Sequence, residues 1–248
     1  MIDRSEIISV IVPVYNEEKN IESLLDNLES LDGNFEVIFS DGGCTDNTVR
    51  IIENRIPDIN KIIEVSDYSC KKMNVDKYRI IKSEKGRANQ MNNGAKISIG
   101  ESLFFLHCDS KLETDVIKRI NLAAGKGIKF GCLKLRFESD NLIMKLCGIM
   151  SNLRVRTRKI AFGDQGIFIN RMIFFDNDGY KNIPLMEDYQ LSIDMKKKYP
   201  VVQINSIITT SAIRFEKNGR LKTMYRMQVL QKMYRDGKDI EKIAAMYK

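Results

Sequence analysis

Two aspartates stand directly after apolar runs in the first half of the chain. Asp41 follows the run Phe35–Phe39, and Asp109 follows the run Ser102–Leu106. Both runs have the length and the composition of buried strands. In a parallel sheet the carboxyl ends of the strands lie at one edge, and ligands bind there. The spacing therefore predicts that the Asp41 and Asp109 carboxylates lie at one ligand-binding edge.

Further charged residues stand where helices are predicted to begin. Arg87 opens a helix predicted over Gly86–Ile97, and an arginine there can bind a phosphate with two parallel hydrogen bonds. An exposed surface arginine is the alternative. Glu187 and Asp188 open a helix predicted over Met186–Lys197. These adjacent carboxylates either complement the helix dipole or supply a general base.

An alternation of strands and helices is predicted to position these residues. The run Ile7–Val12 is continuous, β-branched and followed by Pro13, which we expect to stop the strand. Asn16 is then expected to cap a helix that buries Ile21 and the leucines after it. Strands and helices in this order predict a parallel sheet with helices on both faces. Weaker strands are predicted over Lys61–Val65 and Tyr78–Lys82, with a surface loop over Ser66–Lys77 between them.

The second half of the chain is less regular. Strands are predicted over Phe130–Phe137, Val201–Ile204 and Ile207–Phe215, and helices over Leu142–Arg154, Leu221–Arg235 and Lys238–Tyr247. A helix near Leu112–Val116, capped by Asp109, is the structural alternative to a ligand role for that aspartate. Because no repeat and no linker-like stretch occurs, we expect one domain over residues 1–248.

Composition excludes several classes of protein. With 43% hydrophobic residues and only 4 prolines among 248 residues, the chain is too apolar for a disordered protein. No apolar run reaches the roughly 18 residues of a membrane span. The net charge of +7 is modest, and the basic residues lack the interleaved aromatics of a nucleic-acid platform, so no nucleic-acid partner is expected. Five cysteines without a CxxC pair and an N-terminus without an apolar segment indicate a cytoplasmic protein with reduced thiols.

Five motifs, in order along the chain, resemble those of the family 2 glycosyltransferases. They are ISVIVPVYNE (8–17), SDGGCTDNT (40–48), KGRANQMNNGA (85–95), FLHCDS (105–110) and MEDY (186–189). Together with FGDQGIF and SAIRFEKNG they are similar to a soluble bacterial and archaeal subgroup. The resemblance implies a GT-A fold, an α/β Rossmann-like domain with a mostly parallel central sheet, flanking helices and extra C-terminal helices. It also implies an inverting hexosyltransferase that uses a nucleotide diphosphate sugar.

The resemblance assigns parts of the chain to the donor and to the acceptor. Residues 1–110 would bind the nucleotide sugar, residues 111–215 the acceptor, and residues 216–248 would form C-terminal helices. Asp41 would accept a hydrogen bond from the base, which favours UDP. The other nucleotide-binding residues implied are Pro13 and Tyr15 beside the base, Glu17, Arg87, His107 and Arg214. Arg214 would bind the diphosphate, and a surface salt bridge is the alternative for it.

The resemblance also places a divalent metal ion beside Asp109. A sugar nucleotide leaves negative charge on its diphosphate, and Mn²⁺ or Mg²⁺ bound by a carboxylate neutralises that charge. His107 replaces the first aspartate of the usual DxD motif. Imidazole suits Mn²⁺ better than Mg²⁺, and a ribose contact or packing is the equal alternative for His107.

By the same resemblance, Asp188 is the general base, Glu187 makes a neighbouring contact, and Asp164 and Gln165 face the acceptor. A GT-A domain that binds nucleotides without transferring a sugar is the second hypothesis. The basic amphipathic stretches Asn141–Lys159 and Arg214–Lys238 are explained by core packing, by contact with anionic lipid, or by a homodimer. If the acceptor is lipid-linked, the protein would lie peripherally at the inner membrane face.

Overall fold

A computed structural model of the chain describes residues 6–62 and 77–247. Within this part of the chain, nine strands join into one sheet in the order β3-β4-β2-β1-β5-β8-β7-β9-β6. The strands are β1 Ile8–Val14, β2 Phe35–Asp41, β3 Asn60–Ile62, β4 Tyr78–Lys82, β5 Ser102–Phe105, β6 Ser110–Leu112, β7 Phe130–Glu138, β8 Ile167–Asn170 and β9 Val201–Ser211. The helices are α1 Ile21–Glu29, α2 Thr48–Arg55, α3 Arg87–Ile97, α4 Val116–Gly125, α5 Leu142–Arg158, α6 Arg171–Asp176, α7 Glu187–Met195, α8 Ile213–Asn218, α9 Arg220–Arg235 and α10 Ile240–Tyr247.

The first half of the sheet is parallel, as predicted. Strand β1 pairs in parallel with β2 on one side and with β5 on the other. Strands β4 and β3 continue the parallel order beyond β2. The carboxyl ends of β1 and β2 lie side by side, with Val14 opposite Asp41. The residues that follow β1 and β2 therefore lie together at the carboxyl edge of the parallel strands.

Two hydrophobic cores cover the two faces of the sheet. Along β1, Val10 and Val12 belong to one core and Ile11 to the other. This alternation is the period of two that a strand buried on both faces requires. Helices α1, α2 and α4 pack on the first face, and α3 packs on the second. A third, smaller cluster joins α9 and α10 to the start of α7.

The second half of the sheet is mixed. Strand β8 runs antiparallel between β5 and β7, while β9 lies parallel to β7 and pairs antiparallel with β6. The predicted strands Val201–Ile204 and Ile207–Phe215 form one strand that ends at Ser211. The prediction is wrong beyond that residue, because the Ser211 hydroxyl accepts a hydrogen bond from the Ile213 amide where α8 begins.

Three other local predictions are wrong. Strand β1 continues through Pro13, which lies buried opposite Ser40. Asn16 caps no helix, because its φ is +56° and its Oδ1 accepts a hydrogen bond from the Thr45 amide at 2.8 Å. Asp109 precedes strand β6, and the helix after it begins at Val116, so the helix-cap explanation of Asp109 fails.

Some predictions fall partly or wholly outside the described residues. The loop predicted over Ser66–Lys77 lies outside them except for its last residue, and so does the end of the strand predicted over Lys61–Val65. None of the helices in the described ranges is long and apolar enough to cross a membrane.

Candidate active site

Helix α3 ties together the ends of the two central strands. The side chain of Gln90 donates hydrogen bonds from Nε2 to the carbonyl oxygens of Val14 and Ser40, at 2.8 and 2.7 Å. A Cβ atom on Gly42 would lie 2.9 Å from the Gln90 amide, so a side chain at this position would displace the link. The turn after β2 is thereby fixed against the end of β1.

The Asp41 carboxylate is oriented by its own turn. Its Oδ1 accepts hydrogen bonds from the amides of Gly43 and Cys44, at 3.0 and 2.8 Å. Across this turn, Tyr15 is partly exposed, and the ammonium group of Lys85 lies 4.0 Å from its ring centroid and 2.9 Å from its hydroxyl. Tyr15 and Asp41 therefore lie on one open surface at the carboxyl ends of β1 and β2.

Glu17 lies deeper in the same cleft. Burial raises the pKa of this carboxyl, the hydrogen bond that Asn20 donates at 2.7 Å opposes the shift, and Asp109 adds to it. Glu17 also interacts with Arg87. The structure therefore brings Glu17, Asp109 and Arg87 into one electrostatic cluster.

Asp109 and His107 follow the end of β5. The Asp109 carboxylate is accessible from the cleft while protein surrounds its other sides, and this burial raises its pKa. Its protein hydrogen bond is long, 3.4 Å from the Thr210 hydroxyl. Burial, and then the charge of Arg87, lower the pKa of His107 to about 3. The imidazole is therefore neutral, which is the form that binds a metal ion.

Asp188, at the start of α7, is held by backbone amides. Its Oδ2 accepts a hydrogen bond from the Gly163 amide at 2.7 Å, and its Oδ1 accepts one from the Tyr189 amide at 2.6 Å. A Cβ atom on Gly163 would lie 2.9 Å from the His107 ring and 3.3 Å from Asp188 Oδ2. The short helical turn Gly163–Gln165 thus fits between the histidine and the carboxylate only because residue 163 is glycine.

Glu187 is almost fully buried, with 3% of its surface exposed. Burial and the neighbouring Asp188 charge raise its pKa to about 7, and Arg87 opposes the shift. Arg87 Nε lies 3.5 Å from Glu187 Oε1. Glu187 therefore links the start of α3 to the start of α7 and sets Arg87 beside Asp188.

Asp164 and Gln165 complete this side of the cleft. Burial raises the pKa of Asp164 to about 6, Arg154 opposes the shift, and Asp188 and Asp109 add to it. Gln165 Oε1 accepts a hydrogen bond from the Arg154 guanidinium at 2.9 Å. Asp164 Oδ1 and Gln165 Nε2 are enclosed by protein and have no hydrogen-bond partner among the described residues.

Arg214 lies in α8 and not in the strand predicted for it. Its guanidinium stacks on the Tyr247 ring, with 3.8 Å between the guanidinium carbon and the ring centroid, and donates a hydrogen bond to the Tyr247 hydroxyl. Arg87 interacts with the same hydroxyl. Both predicted phosphate-binding arginines therefore meet at one tyrosine of α10.

The structure adds Gly163, Arg154, Thr210 and Tyr247 to the site. Sequence reasoning missed them because each contacts the site through tertiary packing. The signal for Gly163 is its place directly before Asp164 in the motif FGDQ. Within the described ranges, no three histidine, cysteine or acidic side chains form a ready-made metal site.

Comparison with known proteins identifies the family and the fold. A sequence model described as glycosyl transferase family 2 matches residues 9–146, more than half of the 248 residues. A curated relative, the undecaprenyl-phosphate 4-deoxy-4-formamido-L-arabinose transferase of Proteus mirabilis (strain HI4320), is 24% identical over 169 residues, 65% of this chain and 47% of the relative. The chain thus spans about half the length of that protein.

Solved structures of glycosyltransferases share the fold. A mannosyltransferase from Pyrobaculum calidifontis, in complex with GDP-Man and Mn²⁺, has a TM-score of 0.64 and 19% identity, with 97% of this chain and 67% of that chain covered. S. aureus TarS 1–349 in complex with UDP has a TM-score of 0.59 and 19% identity, with 85% and 62% covered. The glucosyl-3-phosphoglycerate synthase of Mycobacterium tuberculosis, in complex with Mn²⁺, UDP-Glc and phosphoglyceric acid, has a TM-score of 0.56 and 18% identity, with 94% and 80% covered. These similarities confirm the GT-A fold.

Proposed function

Since the chain belongs to glycosyl transferase family 2, we propose that it transfers a sugar from a nucleotide diphosphate sugar to a hydroxyl group, with inversion at the anomeric carbon. One observation carries the proposal. Asp109, open to the cleft, and Asp188, oriented by two amides, come from distant parts of the sequence and meet around Asp164. In this proposal Asp109 acts on the side of the leaving diphosphate, and Asp188 acts on the acceptor hydroxyl.

The donor nucleotide binds at the ends of β1 and β2. Asp41 accepts a hydrogen bond from the base, Pro13 and Tyr15 border the base, and Glu17 faces the nucleotide. The turn that holds Asp41 through the Gly43 and Cys44 amides supports this assignment, because it keeps the carboxylate in one orientation. A single carboxylate that accepts one hydrogen bond suits the N–H group of uracil. UDP is therefore the nucleotide that we propose.

Asp109 and His107 hold Mn²⁺ or Mg²⁺ in this proposal. The residues fit, because the carboxylate is open to the cleft, its hydrogen bond from Thr210 is long at 3.4 Å, and the imidazole is neutral. The His107 edge that bears Nε2 faces Gly163. A bound cation neutralises charge on the departing diphosphate. Two protein ligands suit such an ion, since phosphate oxygens and water complete its shell.

Asp188 acts as the general base toward the acceptor hydroxyl. The amides of Gly163 and Tyr189 each take one lone pair of its two oxygens, and the remaining lone pairs are available to accept a proton. Glu187 positions Arg87 through their ion pair. Asp164, which interacts with Asp188, and Gln165 face the acceptor side in this proposal.

The acceptor is lipid-linked in this proposal, and the outer face of α5 meets the membrane. Leu142, Leu146 and Ile149 are 80, 55 and 62% exposed on this face. Of the four basic residues within 142–158, Lys145, Arg156 and Arg158 are exposed, and the range contains no acidic residue. The helix is therefore complementary to anionic lipid at the inner membrane surface. The α5 helix leads directly into the turn that carries Asp164.

Liposome flotation tests the membrane contact. Wild type should float with anionic vesicles and be released by salt, and Leu146→Glu should abolish flotation. Leu122→Glu, on the equally exposed Leu122 of α4, is the matched control and should still float. The alternative is that α5 forms a homodimer contact. In that case wild type would not float, sedimentation would show a dimer, and Leu146→Glu would dissociate it.

Thermal stability tests the donor site. UDP, GDP, dTDP and CMP are each added with Mn²⁺, Mg²⁺ or EDTA. A ligand at 100 times its Kd stabilises the folded protein by about 2.7 kcal/mol, so one nucleotide should raise Tm in the presence of metal. Asp109→Ala should lose this shift, and Asp140→Ala, at a fully exposed carboxylate, should keep it. The absence of a shift with every nucleotide would contradict the proposal, and nucleotide binding without transfer to any acceptor would favour a non-catalytic GT-A module.

A further inference from the structure

Helix α10 places an aromatic side chain beside the two predicted phosphate-binding arginines. The helix packs through Ile243 against the cluster that includes Met186 and Tyr189 at the start of α7, and Tyr247 joins the edge of this cluster. The guanidinium carbon of Arg214 lies 3.8 Å from the centroid of the Tyr247 ring, and the Tyr247 hydroxyl accepts a hydrogen bond from that guanidinium. Arg87 interacts with the same hydroxyl.

The two arginines differ in their acidic partners, since Asp188 and Glu187 both act on Arg87. Arg214 forms no ion pair within the described ranges, and the carboxylate nearest to Arg87 is Glu187, at 3.5 Å. Burial raises the pKa of that carboxyl to about 7, so its negative charge is incomplete near neutral pH. Both guanidinium groups nevertheless converge on one phenol oxygen, and a phosphate offers more acceptor oxygens to the pair.

The phenol can serve such an anion as well. A tyrosine hydroxyl accepts through its oxygen lone pairs and donates one hydrogen. Arginine supplies the hydrogen bond to the oxygen here, and no acceptor of the hydroxyl hydrogen is found among the described residues. The hydrogen is therefore available to a phosphate oxygen.

We infer that the Tyr247 hydroxyl, with Arg87 and Arg214, forms the subsite for the diphosphate of the donor. The inference rests on the proposed function and deepens it by adding a binding residue from α10. When the diphosphate enters, its oxygens accept hydrogen bonds from both guanidinium groups and from the phenol. Tyr247 thereby couples the C-terminal helices to the leaving group.

Calorimetric titration of two ligands tests this role. The ligands are the nucleoside diphosphate that binds wild type with metal, and the nucleoside of the same base. Tyr247→Phe keeps the ring on Arg214 and removes only the hydroxyl. We expect it to weaken diphosphate binding roughly tenfold or more, the effect of one hydrogen bond to a charged group, and to leave nucleoside binding unchanged. Tyr225→Phe, at an exposed tyrosine of α9, should change neither.

Three outcomes would overturn the inference. Diphosphate affinity of Tyr247→Phe within twofold of wild type would show that the hydroxyl contributes nothing. Tighter diphosphate binding would show that the phenol blocks the site. Equal losses for the diphosphate and the nucleoside would indicate a structural role. A wild-type protein that binds no nucleoside diphosphate would instead contradict the proposed function itself.

Discussion

Substitution of Gly163 by alanine should separate donor binding from catalysis. The amide of Gly163 donates the 2.7 Å hydrogen bond that orients Asp188. The new methyl group would lie 2.9 Å from Cε1 and Nε2 of His107 and 3.3 Å from Asp188 Oδ2. The obstacle is steric, because Gly163 is not among the glycines with positive φ. The turn must therefore move away from the histidine, and the amide moves with it.

The displacement sets the size of the effect. The contact must lengthen from 2.9 Å to the ordinary van der Waals distance of 3.4 Å or more. Such overpacking costs about 1–3 kcal/mol of stability. A misplacement of about 1 Å costs roughly a hundredfold in rate, so a smaller shift of the Asp188 carboxylate should lower kcat at least about tenfold. The base site at Asp41 lies on other strands, so the affinity for the nucleoside without metal should be unchanged.

The assay is release of the nucleoside diphosphate from the donor, with binding and thermal unfolding measured on the same preparations. Gly125→Ala is the control, because a methyl group there meets nothing within 4 Å. It should leave the rate unchanged and, in the last turn of α4, should stabilise the protein slightly. A Gly163→Ala enzyme with kcat within twofold of wild type would refute the reasoning that the Gly163 amide positions Asp188.

Three further predictions concern Glu187, Gln90 and Glu36. Burial raises the pKa of Glu187 from 4.5 to about 7, so the folded state holds this proton more tightly than the unfolded state does. The free energy of unfolding should therefore fall as pH rises from about 4.5 to about 7. Denaturation across this range should show a smaller fall for Glu187→Gln than for wild type, and an equal fall would contradict the assignment. Gln90→Leu should lower the free energy of unfolding in urea by roughly 1–3 kcal/mol, because the carbonyl oxygens of Val14 and Ser40 lose their hydrogen-bond donor. It should also weaken nucleotide binding at Asp41, and unchanged binding would show that Gln90 does not position the Asp41 turn. Glu36→Gln should cost about 3–5 kcal/mol in the same assay, because it removes the carboxylate from the fully buried ion pair with Arg79, and a cost below about 1 kcal/mol would exclude a strong contribution from the pair.

The parallel half of the fold was predictable because its signals are local. Continuous β-branched runs identify strands buried on both faces, and Val10 and Ile11 do enter opposite cores. The positions of Asp41 and Asp109 follow from the same strands, since each residue comes where its strand ends. The order of the motifs supplied the remaining candidates. The structure brings Glu17, Arg87 and Asp164 into one electrostatic cluster with Asp109 and Asp188.

The residues that complete the site depend on tertiary contacts. Arg154 reaches Gln165 across the end of α5, and Tyr247 meets Arg214 after 33 residues of helices and turns. No periodicity marks such contacts. Asn16 was misassigned because a polar residue before acidic residues is typical of a helix cap, yet its side chain stabilises the loop at Thr45. Arg214 was misassigned because the apolar pattern continues past Ser211, where a side-chain hydrogen bond ends the strand.

Hydrolysis of the sugar nucleotide by wild type and Asp188→Asn tests the central claim most directly. Water replaces the unknown acceptor, and NMR records the anomer that is released first. Asparagine keeps the shape of aspartate but cannot take a proton, so the donor should bind as in wild type. The account predicts inverted product from wild type and a rate about a hundredfold to ten-thousandfold lower in Asp188→Asn. Retained configuration, or hydrolysis by Asp188→Asn at the wild-type rate, would contradict it.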